Sequence, residues 1–295
     1  MGGSSTSEKR PRGVERIADA FAAARAGGRA ALMPYYTLGY PDPETSLAVI
    51  CALAHGGGAD LIELGVPFSD PLADGPTIQR STQAALQHGM TVRRCLQLTR
   101  RIREAGVTQP LLLMGYLNPI LAYGMASFVA DAVAAGADGF IIPDLPPEEG
   151  LSLEAACRAA GCALVYLLAP TADTLRAAEI ARRATGFLYL VSVAGVTGAR
   201  DDVPAGLEEF VRRVRPLAHL PLAVGFGIAT PRHAALVGRM ADGVIVGSAL
   251  INAVDQAADP PAAAGDFLRS LRAALEAERQ STGPLNGLAP ATPAA

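Results

Sequence analysis

The sequence predicts a (βα)8 barrel preceded by one extra helix, and three observations carry that reading. Eight short runs rich in Leu, Ile and Val recur along the 295 residues. Segments with helical spacing and their own capping residues lie between them. Three runs also open alike, as GGGADLIEL, AAGADGFII and RMADGVIV, a weak internal echo that suggests repeated αβ joints. Continuous apolar strands alternating with helices imply parallel βαβ units covered on both faces, and eight of them over about 250 residues match a closed barrel. The competing open sheet usually carries a Gly-rich turn after its first strand, and TLGYPDPE lacks GxGxxG.

The elements follow in order. Residues 1–13, MGGSSTSEKRPRG, have no apolar segment of a secretory signal and read as a disordered tail. The barrel domain is expected over 14–280, beginning with the helix VERIADAFAAARAG, and 281–295 read as a second disordered tail. The strands are expected at 31–38, 59–66, 111–118, 137–144, 162–169, 186–193, 220–228 and 241–248. Asp42-Pro43 supplies an N-cap and a first-turn proline, Thr171 can cap the helix ADTLRAAEIARRA, and glycines at 58, 106, 136, 161 and 186 end helices before strands. The last helix, DFLRSLRAALEAERQ, sets Phe267, Leu268, Leu271 and Leu275 on one side.

Composition narrows the function. Half the residues are hydrophobic, enough for a large core, and 25 Lys+Arg against 28 Asp+Glu give a net charge of -3. No basic block points to nucleic acid or to an anionic membrane, so a small neutral or anionic metabolite fits better. Cys51, Cys95, Cys157 and Cys162 have neither CxxC nor zinc-ligand spacing, and the four histidines are scattered. The expectation is reduced thiols in a cytoplasmic protein with no metal site. The uncharged span 105–130 is interrupted by Gly115, Asn118-Pro119 and Gly124, which argues against a membrane helix.

In such a barrel, function gathers at the C-terminal ends of the strands. ELGVPFSDPLADGP ends there. Strand alternation puts Leu61, Glu63 and Gly65 on one face; if Glu63 points into the mouth, Gly65 beside it leaves room for a ligand, and partial burial raises the carboxyl's pKa toward acid/base work. The alternative is a Glu satisfied by an interior partner. Asp74 in LADGPTIQ is read either as a functional acid or as the N-cap of a helix starting near Pro76, and Asp70 as a turn acceptor. The loops SVAGVTGARDDVPAG, GFGIATPR and VGSALI follow strands six to eight, where glycines and helix N-termini bind phosphate without a cation. The long stretch 194–206 reads as a lid.

Together, ELGVPFSDPLADGP, MPYYTLGYP, AGVTG, GFGI and VGSA resemble the α subunit of tryptophan synthase, in order and over most of residues 14–280. The resemblance implies a (βα)8 lyase that splits indole-3-glycerol phosphate into indole and glyceraldehyde 3-phosphate, the last stage of L-tryptophan biosynthesis, with no cofactor in this chain. It implies Glu63 as the acid/base that protonates indole C3 and deprotonates the glycerol C3′ hydroxyl, and Asp74 as the hydrogen-bond partner of the indole nitrogen. Tyr35, Met114, Tyr189 and Phe226 are implied around the indole, with Thr197 ordering Asp74. Gly198, Gly227, Gly247 and Ser248 are implied at the phosphate. Asp70, Pro71, Asn118 and Pro146 are implied at a contact with a β subunit that carries pyridoxal phosphate, in an α2β2 heterotetramer. Val193 after Ser192 departs from members that carry Arg there. Other phosphate-binding barrels of indole or histidine biosynthesis usually rely on a catalytic Lys or an Asp pair, and the only lysine here is Lys9. Intact Glu63 and Asp74 argue against a regulatory partner without chemistry of its own.

Overall fold

The computed structural model describes residues 12–191, 206–225 and 227–282. Strands β1 (Ala31–Thr37), β2 (Ile62–Gly65), β3 (Leu111–Met114), β4 (Gly139–Ile141), β5 (Ala163–Leu168), β6 (Leu188–Val191), β7 (Leu222–Gly225) and β8 (Gly243–Val246) pair in sequence order and close into a barrel. Every pair is parallel, including β8 with β1. Following the registers from Ala31 through Gly243, Ala223, Tyr189 and Leu167, and on round through β4, β3 and β2, returns to position 39, eight above the start. That is the shear of eight expected of a (βα)8 barrel.

The helices are α1 (Gly13–Ala26), α2 (Pro43–His55), α3 (Pro76–Gln87), α4 (Val92–Glu104), α5 (Leu117–Tyr123), α6 (Met125–Ala135), α7 (Leu151–Ala160), α8 (Thr174–Arg183), α9 (Leu207–Val214), α10 (Pro231–Gly238), α11 (Ser248–Asp255) and α12 (Pro260–Thr282). Asp42 caps α2 by accepting from the Glu44 and Thr45 amides, as expected. Asp173 rather than Thr171 caps α8, accepting from the Arg176 amide at 2.8 Å, because a turn closed by Ala172 N to Ala169 O holds Thr171 ahead of the helix. The last helix starts earlier than expected, at Pro260, where the Asp259 carboxylate accepts from Ala262 N at 3.1 Å. Span 105–130 folds as β3, α5 and α6; no single helix among the described residues is long and apolar enough to cross a membrane, and α5 and α6 meet at a 97° bend.

Two cores result. The larger lies between the strands' outer faces and the helices, with Leu32, Ile62, Leu113, Phe140, Leu190 and Val244 packed beneath α2, α12 and their neighbours. The smaller fills the barrel. There α1 inserts Ile17, Phe21 and Ala24 among Met33, Leu61, Leu112, Val165, Phe187 and Ile245, with the Phe21 and Phe187 rings 5.6 Å apart. The added helix therefore plugs the N-terminal end of the barrel.

The three Ala-Asp repeats acquire a physical meaning at that end. Asp60 donates its N–H to Leu32 O and accepts Leu32 N–H on Oδ2, at 2.9 and 2.8 Å. Asp138 does the same with Leu111, and Asp242 with Leu222. Thr185 supplies the fourth copy through Oγ1, with Leu164 N at 2.7 Å. Each clamp joins the residue just ahead of β2, β4, β6 or β8 to the start of β1, β3, β5 or β7. The carboxylates need counter-charges and have them: Arg29 and Arg272 at Asp60, Arg16 and Arg103 at Asp138, Arg25 and Arg215 at Asp242. The neutral Thr185 needs none.

Removing one buried member of such a set strands its partners. Asp138→Ala leaves two guanidiniums and a strand N–H without their acceptor, and should cost about 3–5 kcal/mol. Thr185→Val leaves only the N–H and should cost about 1–3 kcal/mol. Urea denaturation of the two variants checks the ranking; a smaller loss for Asp138→Ala would refute this account of the clamps.

Candidate active site

The C-terminal end of the barrel opens into a cavity of about 520 Å³, within the range of small-molecule sites. Of the expected site residues, Tyr35, Asp74, Met114, Tyr189, Gly227, Gly247 and Ser248 all line it. Thr197, Gly198 and Phe226 lie outside the described residues, as do Ser192, Val193 and the expected lid apart from Gly206.

Glu63 sits below this wall, fully buried as the second residue of β2. Neither carboxyl oxygen has a hydrogen-bond partner, so an interior partner does not satisfy it. Burial alone pushes its pKa up to about 8, because a carboxylate loses hydration there and gains nothing in return. The room expected beside Gly65 is not open to a ligand. The Tyr35 hydroxyl occupies it, 2.1 Å from where a Cβ on Gly65 would stand, and the Tyr189 hydroxyl fills the matching place at Gly225, 2.2 Å from its would-be Cβ. The two glycines thus admit two phenols into the upper barrel layer. Both phenols are pushed above the ordinary tyrosine range, mainly by burial and further by the charges of Glu63 and Asp74, and stay protonated. Tyr35 Oη also lies 3.4 Å from Thr37 Oγ1, which meets Ser81 Oγ at 2.7 Å. Ser81 donates in turn to Ile78 O, joining β1 to α3.

Asp74 is not a helix cap. The N-cap of α3 is Gly75, and no side chain caps it. The Asp74 carboxylate instead accepts from the Tyr116 hydroxyl at 2.9 Å, and that hydroxyl accepts from Ala73 N at 3.0 Å. One phenol from the β3–α5 connection therefore fixes the loop at two points. Gln79 Nε2 adds a third through Asp74 O, at 2.9 Å. Burial raises the Asp74 pKa, and the Tyr116 bond works against that rise. Tyr116 went unnoticed in the sequence, where MGYLNP signals only a strand end and a turn. Leu167, Val191 and Ile245 also complete the wall, and strand alternation alone would have found them.

Across the cavity stand Gly227, with φ +49°, and the N-terminus of α11 at Gly247 and Ser248. No Lys or Arg lines the cavity among the described residues. Backbone N–H groups and a helix dipole are what this side offers to an anion. No group of three or more His, Cys, Asp or Glu is placed to hold a metal among the described residues.

Beside the Asp74 loop, Asp70 and Asn118 border a second depression of about 320 Å³ with Phe68, Leu72, Tyr116 and Asp144. Pro71 lies next to Asp70 on the same loop. Pro146 borders a third depression, and Asp144 belongs to both.

Comparison with known proteins agrees with this geometry. The family profile described as tryptophan synthase alpha chain matches residues 21–278. The tryptophan synthase alpha chain of Roseiflexus sp. (strain RS-1) is 51% identical over 263 residues, covering 88% of this chain and 100% of that one. That of Chloroflexus aggregans is 48% identical over 265 residues, covering 89% and 99%. Among solved structures, tryptophan synthase subunit alpha from Legionella pneumophila str. Paris superposes with a TM-score of 0.83 at 41% identity, covering 89% of this chain and 98% of that one. An open form of tryptophan synthase from M. tuberculosis gives 0.81 at 38% identity, with 88% and 98% covered. The order of the loops, the closed barrel and these likenesses agree, and the chain belongs to the tryptophan synthase alpha chain family.

Proposed function

We propose that this chain cleaves indole-3-glycerol phosphate at its barrel mouth by a retro-aldol reaction, with Glu63 as acid/base, Asp74 on the indole nitrogen and backbone donors on the phosphate. The observation that carries the reading is Glu63 itself. A fully buried carboxyl with two unpartnered oxygens, beneath a cavity bearing a second carboxylate, is costly to keep for structure alone.

The cleavage needs a proton delivered to indole C3 and another taken from the hydroxyl on the carbon being released. With a pKa near 8, Glu63 is largely neutral at pH 7 and has a proton to give. The carboxylate left behind takes the hydroxyl proton and is restored, so one group serves both transfers. Protonation at C3 develops positive charge on the ring nitrogen, and the Asp74 carboxylate, turned by Tyr116, stabilises it. Tyr35, Met114 and Tyr189 bound the indole. Gly227, Gly247 and Ser248 take the phosphate at the opposite wall, with Gly198, Thr197 and Phe226 assigned with them by the family pattern.

The partner follows from the same face. The large hydrophobic residues left exposed among the described ones are Leu72, Leu121, Leu151 and Leu175, at 92, 52, 66 and 83%. They belong to four successive units, after β2, β3, β4 and β5, alongside Asp70, Pro71, Asn118 and Pro146. An apolar arc of this kind suits a protein partner. We assign it to a β subunit, whose pyridoxal phosphate supplies the chemistry that consumes indole.

Three sets of outcomes, at Glu63, at the phosphate and at the partner face, test these assignments. Glu63→Gln should lower turnover by about 10²- to 10⁴-fold while glycerol phosphate still binds. The stability sign is also fixed. Glu63 holds its proton when folded and loses it when unfolded between about pH 4.5 and 8, so the wild-type chain should lose about 1.4 kcal/mol per pH unit across that window. The Gln variant should lack this slope in denaturation at pH 5 and pH 8. An identical slope in both proteins would remove Glu63 as a buried acid.

Gly227→Val replaces a residue with positive φ by a β-branched one. Its affinity for glycerol phosphate, measured by titration, should fall at least about tenfold, or roughly 1.4 kcal/mol. Unchanged affinity would move the phosphate elsewhere.

Added β subunit should raise indole release by about 5- to 150-fold, because the Asp74 loop also carries Asp70 and Leu72. Leu72→Asp should abolish co-elution on gel filtration. High turnover alone, without co-elution of the wild-type chain, would make this a free-standing lyase.

A further inference from the structure

The two cysteines at the end of α7 lie far from the cavity and have a geometry of their own. Helix α7 ends in a paired turn: Cys162 N donates to Cys157 O at 3.1 Å, Gly161 N donates to Arg158 O at 3.3 Å, and Gly161 takes φ +69°. This is the Schellman arrangement, which brings the side chains flanking it together. The 3.1 Å bond, with the covalent lengths on either side, holds the two Cα atoms within about 7 Å, at the upper edge of the range a disulfide spans. Cys162 Sγ donates to Cys157 O at 3.6 Å, which seats its side chain against the last turn of α7 beside Cys157. Both side chains border a cavity of about 230 Å³ at the N-terminal end of the barrel, together with Arg12, Arg158 and Arg183. Both are reduced here.

We propose that Cys157 and Cys162 form a redox pair that hydroperoxides convert to an intramolecular disulfide. The mutual influence of the two thiols lowers the Cys162 pKa and raises that of Cys157, so the thiolate forms on Cys162. The Cys162 thiolate attacks the outer oxygen of the hydroperoxide, an S–O bond forms, the O–O bond breaks, and the alcohol or water leaves. Cys157 then attacks Sγ of Cys162, the S–S bond forms, the S–O bond breaks, and water departs with the Cys157 proton. Two thiols and one hydroperoxide thus give one disulfide, one alcohol and one water.

Arg158 stands between the two cysteines, so trypsin separates them. The native full-length chain is treated with hydrogen peroxide, its remaining thiols are alkylated, and it is digested. Mass spectrometry should find a peptide pair joined through Cys157 and Cys162 that a reductant splits. Cys157→Ser should leave Cys162 as a sulfenic acid that dimedone traps, and Cys162→Ser should leave Cys157 unreacted. Full alkylation of both cysteines after peroxide, or linkage only once the chain has been denatured, would overturn the proposal.

Discussion

A closed barrel of eight parallel strands starts its strands at staggered heights, and at the N-terminal end that stagger leaves odd-strand amides without a neighbouring strand to pair with. The reciprocal clamps of Asp60, Asp138, Thr185 and Asp242 answer that shortage four times over. They tie adjacent strands two by two, and the arginines that neutralise them reach in from α1, α4 and α12 and from the connections ahead of β1 and β7. The plug helix, the helical coat and the strand registers thus share one set of polar contacts. Without those contacts the buried amides would each cost a lost hydrogen bond.

The same residue type has opposite circumstances at the two ends. Asp138 is buried at 2% exposure, yet its carboxylate meets two guanidiniums and the Leu111 backbone amide. Glu63 is fully buried, and neither of its carboxyl oxygens meets a partner. Burial of a carboxyl is tolerable where every lone pair is used, and becomes chemically useful where none is, because the proton then stays on until a substrate asks for it. The tyrosines of the upper layer keep that environment dry without supplying the charge that would collapse the difference.

Much of this was legible in the sequence because it depends on period and punctuation. Eight apolar runs mark eight strands, Asp42-Pro43 marks a helix start, and the Ala-Asp echo marks a recurring joint. The purpose of the echo was not legible, since a clamp between Asp60 and Leu32 depends on a register that only closure of the barrel sets. Thr185 escaped notice for a related reason: its hydroxyl does an aspartate's work without resembling one. Glu63 and Asp74 stood out through their motif, whereas Tyr116 did not, because its bond to Asp74 joins residues 42 apart in the chain. Gly65 was misread as space for a ligand because the ring that fills it comes from a different strand.

The plug formed by α1 has a consequence for traffic. With Ile17, Phe21 and Ala24 packed from below against Met33, Leu61 and Phe187, the barrel axis is solid at that end and the vessel has one mouth. Substrate and product must share that mouth. An apolar product released there meets the rim of exposed leucines before it meets open water, so a partner seated on that rim would stand across its exit.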